Sequence, residues 1–190
     1  VSAENIADYV TLPDFIMRKW QSGAISNTHF SDILRNQLLI EHGGLWLDST
    51  VLLTGPLPSY VDDGSLFMFR HMNQDDICIS YNSWLIYSYR GNGTLKTLQA
   101  LLFKYWEEND SLADYFLWHL LLTMVLGCDS SVEESILPVT DDLSEQLSLM
   151  LFRPFSADLW RHALGLTTVH KLSNKYPEEL RRLPGTLYRH

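Results

Sequence analysis

Read for apolar spacing, the chain alternates between helical and extended segments. Ile6, Tyr9 and Val10 precede Pro13, and Phe15, Ile16 and Trp20 follow it, which predicts a short helix entered through the proline. After the loop "SGAISN", Phe30, Ile33, Leu34 and Leu38 recur at helical spacing until Gly43–Gly44 stop them. "LWLDSTVLL" reads as a strand, bent near Asp48–Thr50. "GPLP" and "DDG" punctuate a loop. "SLFMFR" and "CISYNSWLIYSY" read as further strands, rich in aromatic and β-branched residues. Leu95, Leu98, Leu101, Leu102, Tyr105 and Trp106 mark a strong helix, and a second runs from about Leu112 to Leu126. Residues 142–151 and 156–164 have helical patterns, the latter opened by Ser156. From Gly165 onward the chain reads as a tail with basic residues. No repeat or low-complexity linker interrupts the pattern. The expectation is one α/β domain over residues 1–190, a mixed sheet with flanking helices. Ligands of such sheets gather at the carboxyl ends of strands, where Asp48 falls.

Composition narrows the function. The 190 residues are 46% hydrophobic and 19% charged, enough for a real core. Fourteen Lys+Arg against 23 Asp+Glu give a net charge of −9, which argues against nucleic acid as a partner. An anionic ligand then needs a cation or a local basic residue to offset the repulsion. Cys78 and Cys128 form no metal-type cluster, and a reducing compartment is the default. "YFLWHLLLTMVLG" is too short to span a bilayer and reads as a buried helix, with His119 a core histidine. The chain begins at Val1 rather than Met, which suggests a fragment.

The candidate chemistry centres on "HFSDILRNQLLIEHGGLWLDSTVLL". Asp32 and Arg35 are three apart and share a helical face. They form either an exposed ion pair or a pair aimed into a cleft, where the carboxylate accepts from sugar hydroxyls and the guanidinium forks onto oxygens. Gly43–Gly44 is a helix stop that brings the next strand close to the helix. Asp48, at the end of an apolar strand, is either a turn cap or a ligand of Mg²⁺ or Mn²⁺ bridging to a diphosphate.

These residues resemble a family. "SDILRNQLLIEHGGLWLDSTVLLTGPL" is similar to the core motif of capsular polysaccharide synthesis glycosyltransferases, themselves related to sugar transferases with an Asp-x-Asp motif. "YNSWLIYSYRGN", "KYWEENDSLADYFLWHLLL" and "TTVHKLSNKY" resemble that family's later blocks, in order, so that the likeness covers roughly residues 29–176. The resemblance implies a GT-A-like nucleotide-diphospho-sugar transferase fold, lacking part of its N-terminal βαβ region since only about thirty residues precede Asp32. It implies transfer of a sugar from a nucleotide-sugar donor to a glycan acceptor, with retention, in capsular or surface polysaccharide synthesis. By that likeness Asp32, Arg35, Asn82 and Lys171 hold the donor. Asp48 and His170 hold Mn²⁺ or Mg²⁺, with Asp48 at the catalytic centre and Asp114 a polar residue on the acceptor side. Asn82 is preferred as the polar contact over Trp84, a residue type more often found in a core. Asp114, His170 and Lys171 have plainer alternatives. Asp114 serves the N-terminal dipole of its helix. His170–Lys171 is a solvated basic segment. One departure weakens the metal assignment: Asp-x-Asp reads Asp48-Ser49-Thr50, a hydroxyl in place of the second carboxylate. Metal-independent donor binding, with Arg35 and Lys171 countering the phosphates, stays open.

The location implied is the cytoplasm or the cytoplasmic face of a membrane (the Golgi lumen in a eukaryote), with peripheral membrane contact through the basic tail. The alternative function is a non-catalytic carbohydrate-binding relic of such an enzyme. A metal hydrolase using Asp48 and His170 is a third reading without positive support.

Overall fold

The structure, a computed structural model, describes residues 3–71 and 79–189. Cys78, and with it the start of the expected "CISY" strand, lies outside the described residues.

Helix α1 (Asp14–Gln21) begins after Pro13, whose fixed φ suits the entry. Helix α2 (Asn27–His42) is capped by Ser26, whose Oγ accepts from the His29 amide. It ends at Gly43, which adopts φ +70°. A Cβ there would lie 2.5 Å from the Arg90 backbone nitrogen, so this glycine answers both to conformation and to close approach. Strand β1 (Gly44–Leu47) follows at once. The chain turns through Asp48–Thr50, with the Val51 amide donating to the Asp48 carbonyl, and continues as β2 (Val51–Leu53). Strands β3 (Leu66–Arg70) and β4 (Tyr81–Ser88) lead into α3 (Gly93–Glu108), capped by Asn92. Then come α4 (Leu117–Cys128), the short α5 (Ser130–Ser135), α6 (Asp142–Met150) and α7 (Ala157–Leu166), the last capped by Ser156. Strand β5 (Val169–Lys171) and α8 (Glu178–Arg181) complete the order.

The α/β class holds, with two small sheets. One has the order β1-β4-β3 and the other is β2-β5. The ladders between described strands are antiparallel, where a mixed sheet was expected. A single bridge, Arg70 with Thr140, is parallel. The larger sheet is covered on both faces, which explains its continuous apolar runs. Met68 and Ile86 face a core built from α1, α2, α3 and α4, including Ile33, Leu95, Trp106 and Trp118. Phe67, Phe69, Trp84 and Leu85 face the other way, onto Val61 and Val169. Trp84 is therefore core, its ring stacked 4.8 Å from Phe69.

Two expected boundaries move. Helix α4 starts at Leu117 rather than near Leu112, because Asp114 closes a turn ahead of it. The segment after Gly165 is no solvated tail. It supplies β5 and then returns to a third core, where Leu187 packs with Leu147, Met150, Leu151 and Ala163. Among the described residues no helix is long and apolar enough to cross a membrane.

Candidate functional site

Helix α2 lies against β1 and β4, and this contact aims its Asp32–Arg35 face at the sheet rather than at water. Arg35 Nη2 is 2.9 Å from Asp32 Oδ1, and both side chains are close to nine-tenths buried or more. Arg35 Nη1 donates to the Ser83 carbonyl of β4 at 2.7 Å and stands 3.9 Å from Asp48 Oδ1. Its guanidinium carbon sits 5.3 Å from the centre of the Trp46 ring. An exposed helical ion pair is thus excluded. Burial pushes the Asp32 carboxyl above its usual range; Arg35 and then His29 oppose that rise, and the Asp48 carboxylate adds to it.

Asp48 is reached from three sides. Trp46, two residues earlier on the same strand face, donates its indole N–H to Oδ1 at 3.0 Å. Arg35 approaches the same oxygen, and Lys171 Nζ lies 3.5 Å from Oδ2. Lys171 also bonds Thr50 Oγ1. The β2-β5 register explains this meeting across the chain. Val51 pairs with Lys171, and the Leu172 amide donates to the Thr50 carbonyl at 2.9 Å, so β5 delivers Lys171 onto the Asp48–Thr50 turn.

Arg35, Asp48, Thr50 and Lys171 open onto one cavity of about 1020 Å³. Asn27, Thr28 and Ser31 from the first turns of α2 line it, as do Trp46, Tyr115, Glu145 and Ser148, and the segment from Lys171 to Lys175. Its walls carry Arg35, Lys171 and Lys175 against Asp48 and Glu145, with Asp32 behind Arg35, so the charges here nearly balance on a chain of net charge −9. Partial desolvation, and then the Asp141 carboxylate, push the Glu145 carboxyl up. The α2 N-terminus adds a positive dipole end to the same wall.

The whole chain, residues 1–190, matches the family described as capsular polysaccharide synthesis protein. The chain belongs to that family. A search of curated proteins finds no match. The family points to a role in capsular polysaccharide synthesis, in keeping with the resemblance carried by the Asp32-to-Leu57 motif.

For this family member, the site residues named from sequence divide into two groups. Arg35, Asp48 and Lys171 meet at the cavity, and Asp32 stands directly behind Arg35. Asn82, Asp114 and His170 do not line it. Asn82 donates Nδ2 to Asp141 Oδ2 at 2.7 Å, tying β4 to the start of α6. Asp114 is exposed, and its Oδ1 accepts from the Phe116 amide at 2.7 Å; its neighbour Tyr115 is the residue that reaches the cavity. His170 alternates with Lys171 along β5, so it faces away from the turn. It is fully buried with Nε2 3.0 Å from Thr54 Oγ1, and burial lowers its pKa and favours the neutral ring.

The donor set also bears on the divalent cation that the resemblance implies. Both oxygens of Asp48 already face donors, two of which are cations. Thr50 offers a hydroxyl that Lys171 occupies, and His170 points elsewhere. Among the described residues no three His, Cys, Asp or Glu side chains group as a metal set would. The residues present do not fit Mg²⁺ or Mn²⁺.

Sequence reasoning missed Trp46, Tyr115, Glu145 and Ser148. The signal for Trp46 was present, since residues i and i+2 of a strand share a face. Glu145 and Ser148, three apart on α6, carried no local signal that their helix borders β5.

Proposed function

We propose that the chain is a glycosyltransferase of capsular or surface polysaccharide synthesis, moving a sugar from a nucleoside diphosphate sugar to a glycan acceptor with retention. The observation that carries this reading is the meeting of Arg35, Asp48 and Lys171, from a helix, a turn and a distant strand, at one cavity. In the transfer, the bond between the anomeric carbon and the diphosphate oxygen breaks, and the acceptor oxygen bonds that carbon. Negative charge grows on the departing diphosphate, and Arg35 and Lys171 stabilise it. Asp32 acts through Arg35 by fixing the guanidinium. Asp48 holds Arg35 and Lys171 at a common point. On the retaining path the departing phosphate oxygen takes the acceptor proton on the same face, which leaves Asp48 free of any role as base. Glu145, on α6, lines the same cavity and offers a carboxylate that sugar hydroxyls can donate to.

The test is release of nucleoside diphosphate from a panel of nucleotide sugars. Lys171→Met is expected to lower turnover by about a hundredfold, the scale of losing one fixed donor at a developing charge. Product anomers read by NMR decide the stereochemistry. No release from any donor, with glycan binding retained, would favour instead a carbohydrate-binding relic, the reading to which Thr50 in place of a second carboxylate lends support.

A further inference from the structure

We propose that the Lys171 ammonium takes the place of a divalent cation at the donor diphosphate, so that donor binding by this chain needs no Mg²⁺ or Mn²⁺; this rests on the nucleotide-sugar reading above. Asp48 and Thr50 are the first and third positions of the turn in which an Asp-x-Asp motif would grip a metal ion. In this chain the gap between them is bridged by Lys171 Nζ, bonded to Thr50 Oγ1 and 3.5 Å from Asp48 Oδ2.

The chemistry of the three positions is mutually consistent. A hydroxyl at position 50 is a poor ligand for a hard dication and a good acceptor for an ammonium. An ammonium has three N–H donors; Thr50 and Asp48 take two, which leaves one for a ligand, and Lys171 lines the cavity. Arg35 lies 3.9 Å from the other Asp48 oxygen, so a dication arriving at this carboxylate would meet two fixed positive charges. The placement is built by backbone as well as side chain, through the Val51–Lys171 pairing and the Leu172-to-Thr50 hydrogen bond. The turn thus carries its own cation as a covalent part of β5.

The experiment titrates UDP, GDP, ADP and CDP separately into the full chain by calorimetry, once in EDTA and once in Mn²⁺. The dissociation constant of the tightest nucleotide is expected to agree within about threefold between the two conditions. Lys171→Ala is expected to weaken it about tenfold or more in EDTA, the worth of a charge-assisted bond, and Lys171→Arg to keep most of it. Binding at least about tenfold tighter in Mn²⁺, or an unchanged Lys171→Ala, overturns the inference while leaving the transferase reading intact. No binding of any nucleotide in either condition removes the transferase reading and this inference with it. If Lys171→Ala loses its circular dichroism signal, the wild-type comparison between EDTA and Mn²⁺ decides alone.

Discussion

Replacing Arg35 with Met keeps much of the side-chain volume and removes the charge that Asp32 faces. Asp32 is then a buried carboxylate with its nearest cation gone. Breaking a buried pair from one side destabilises by about 3–5 kcal/mol. The cost of protonating Asp32 has the same scale. An unpartnered carboxylate escapes by taking a proton, so Asp32 contributes at most the work of protonating it at neutral pH. From its ordinary 3.8 to pH 7 that is about 4 kcal/mol, at about 1.36 kcal/mol per pH unit. The lost hydrogen bond to the Ser83 carbonyl adds about 1.5 kcal/mol or more. The sign of the pH dependence follows. Without Arg35 the folded-state pKa of Asp32 rises further above its unfolded value, so the variant recovers stability relative to wild type as pH falls from 7 toward 5. Urea unfolding of wild type, Arg35→Met, Asp32→Asn and the double variant at pH 7.5 and 5.5 measures all of this. The double variant is expected to lose less than the sum of the singles. A loss below about 1 kcal/mol for Arg35→Met, or an additive double, would show that the pair is solvated and the reasoning mistaken.

Two further outcomes concern the scaffold. Gly43→Ala forces a Cβ to 2.5 Å from the Arg90 nitrogen at φ +70°, and is expected to destabilise by about 3 kcal/mol. Gly44→Ala, at φ +92° in open space, meets the conformational penalty alone, about 1–2 kcal/mol, and the two are compared by thermal melting. His119 is lowered from 6.5 to about 4, chiefly by burial and then by the Arg35 and His71 charges. Its unfolded form binds the extra proton, so stability is lost as pH falls from about 6.5 to 4, by at most about 3 kcal/mol. His119→Leu is expected to flatten that part of the stability profile, and an unchanged slope would show that other groups set it.

Elements with a strong local period were legible from the chain alone. Phe30, Ile33 and Leu34 marked α2, Leu95 to Trp106 marked α3, and the double glycine with its following apolar run marked the α2-to-β1 junction. The facing of Asp32 and Arg35 was not legible. Spacing puts them on one helical side, but only the packing of α2 on β1 and β4 decides that this side is buried. Strand β5 is three residues long and its His-Lys pair is polar, so its sequence looks like loop. It becomes a strand by pairing with β2, over a hundred residues away in the chain. The same long-range pairing explains why Lys171 and His170, adjacent and chemically similar, part company. One reaches the Asp48 turn and the other the Thr54 hydroxyl. Asn82 and Asp114 were polar residues in matching blocks; the first is spent on the Asp141 carboxylate and the second on the Phe116 amide.

The most direct measurement is a crystal of the full chain soaked with the nucleoside diphosphate that binds it tightest. Phosphate oxygens are expected within hydrogen-bonding distance of both Arg35 and Lys171, in the cavity bounded by Trp46, Asp48 and Tyr115. A nucleotide bound elsewhere, with Arg35 and Lys171 still bonded only to protein groups, would contradict that.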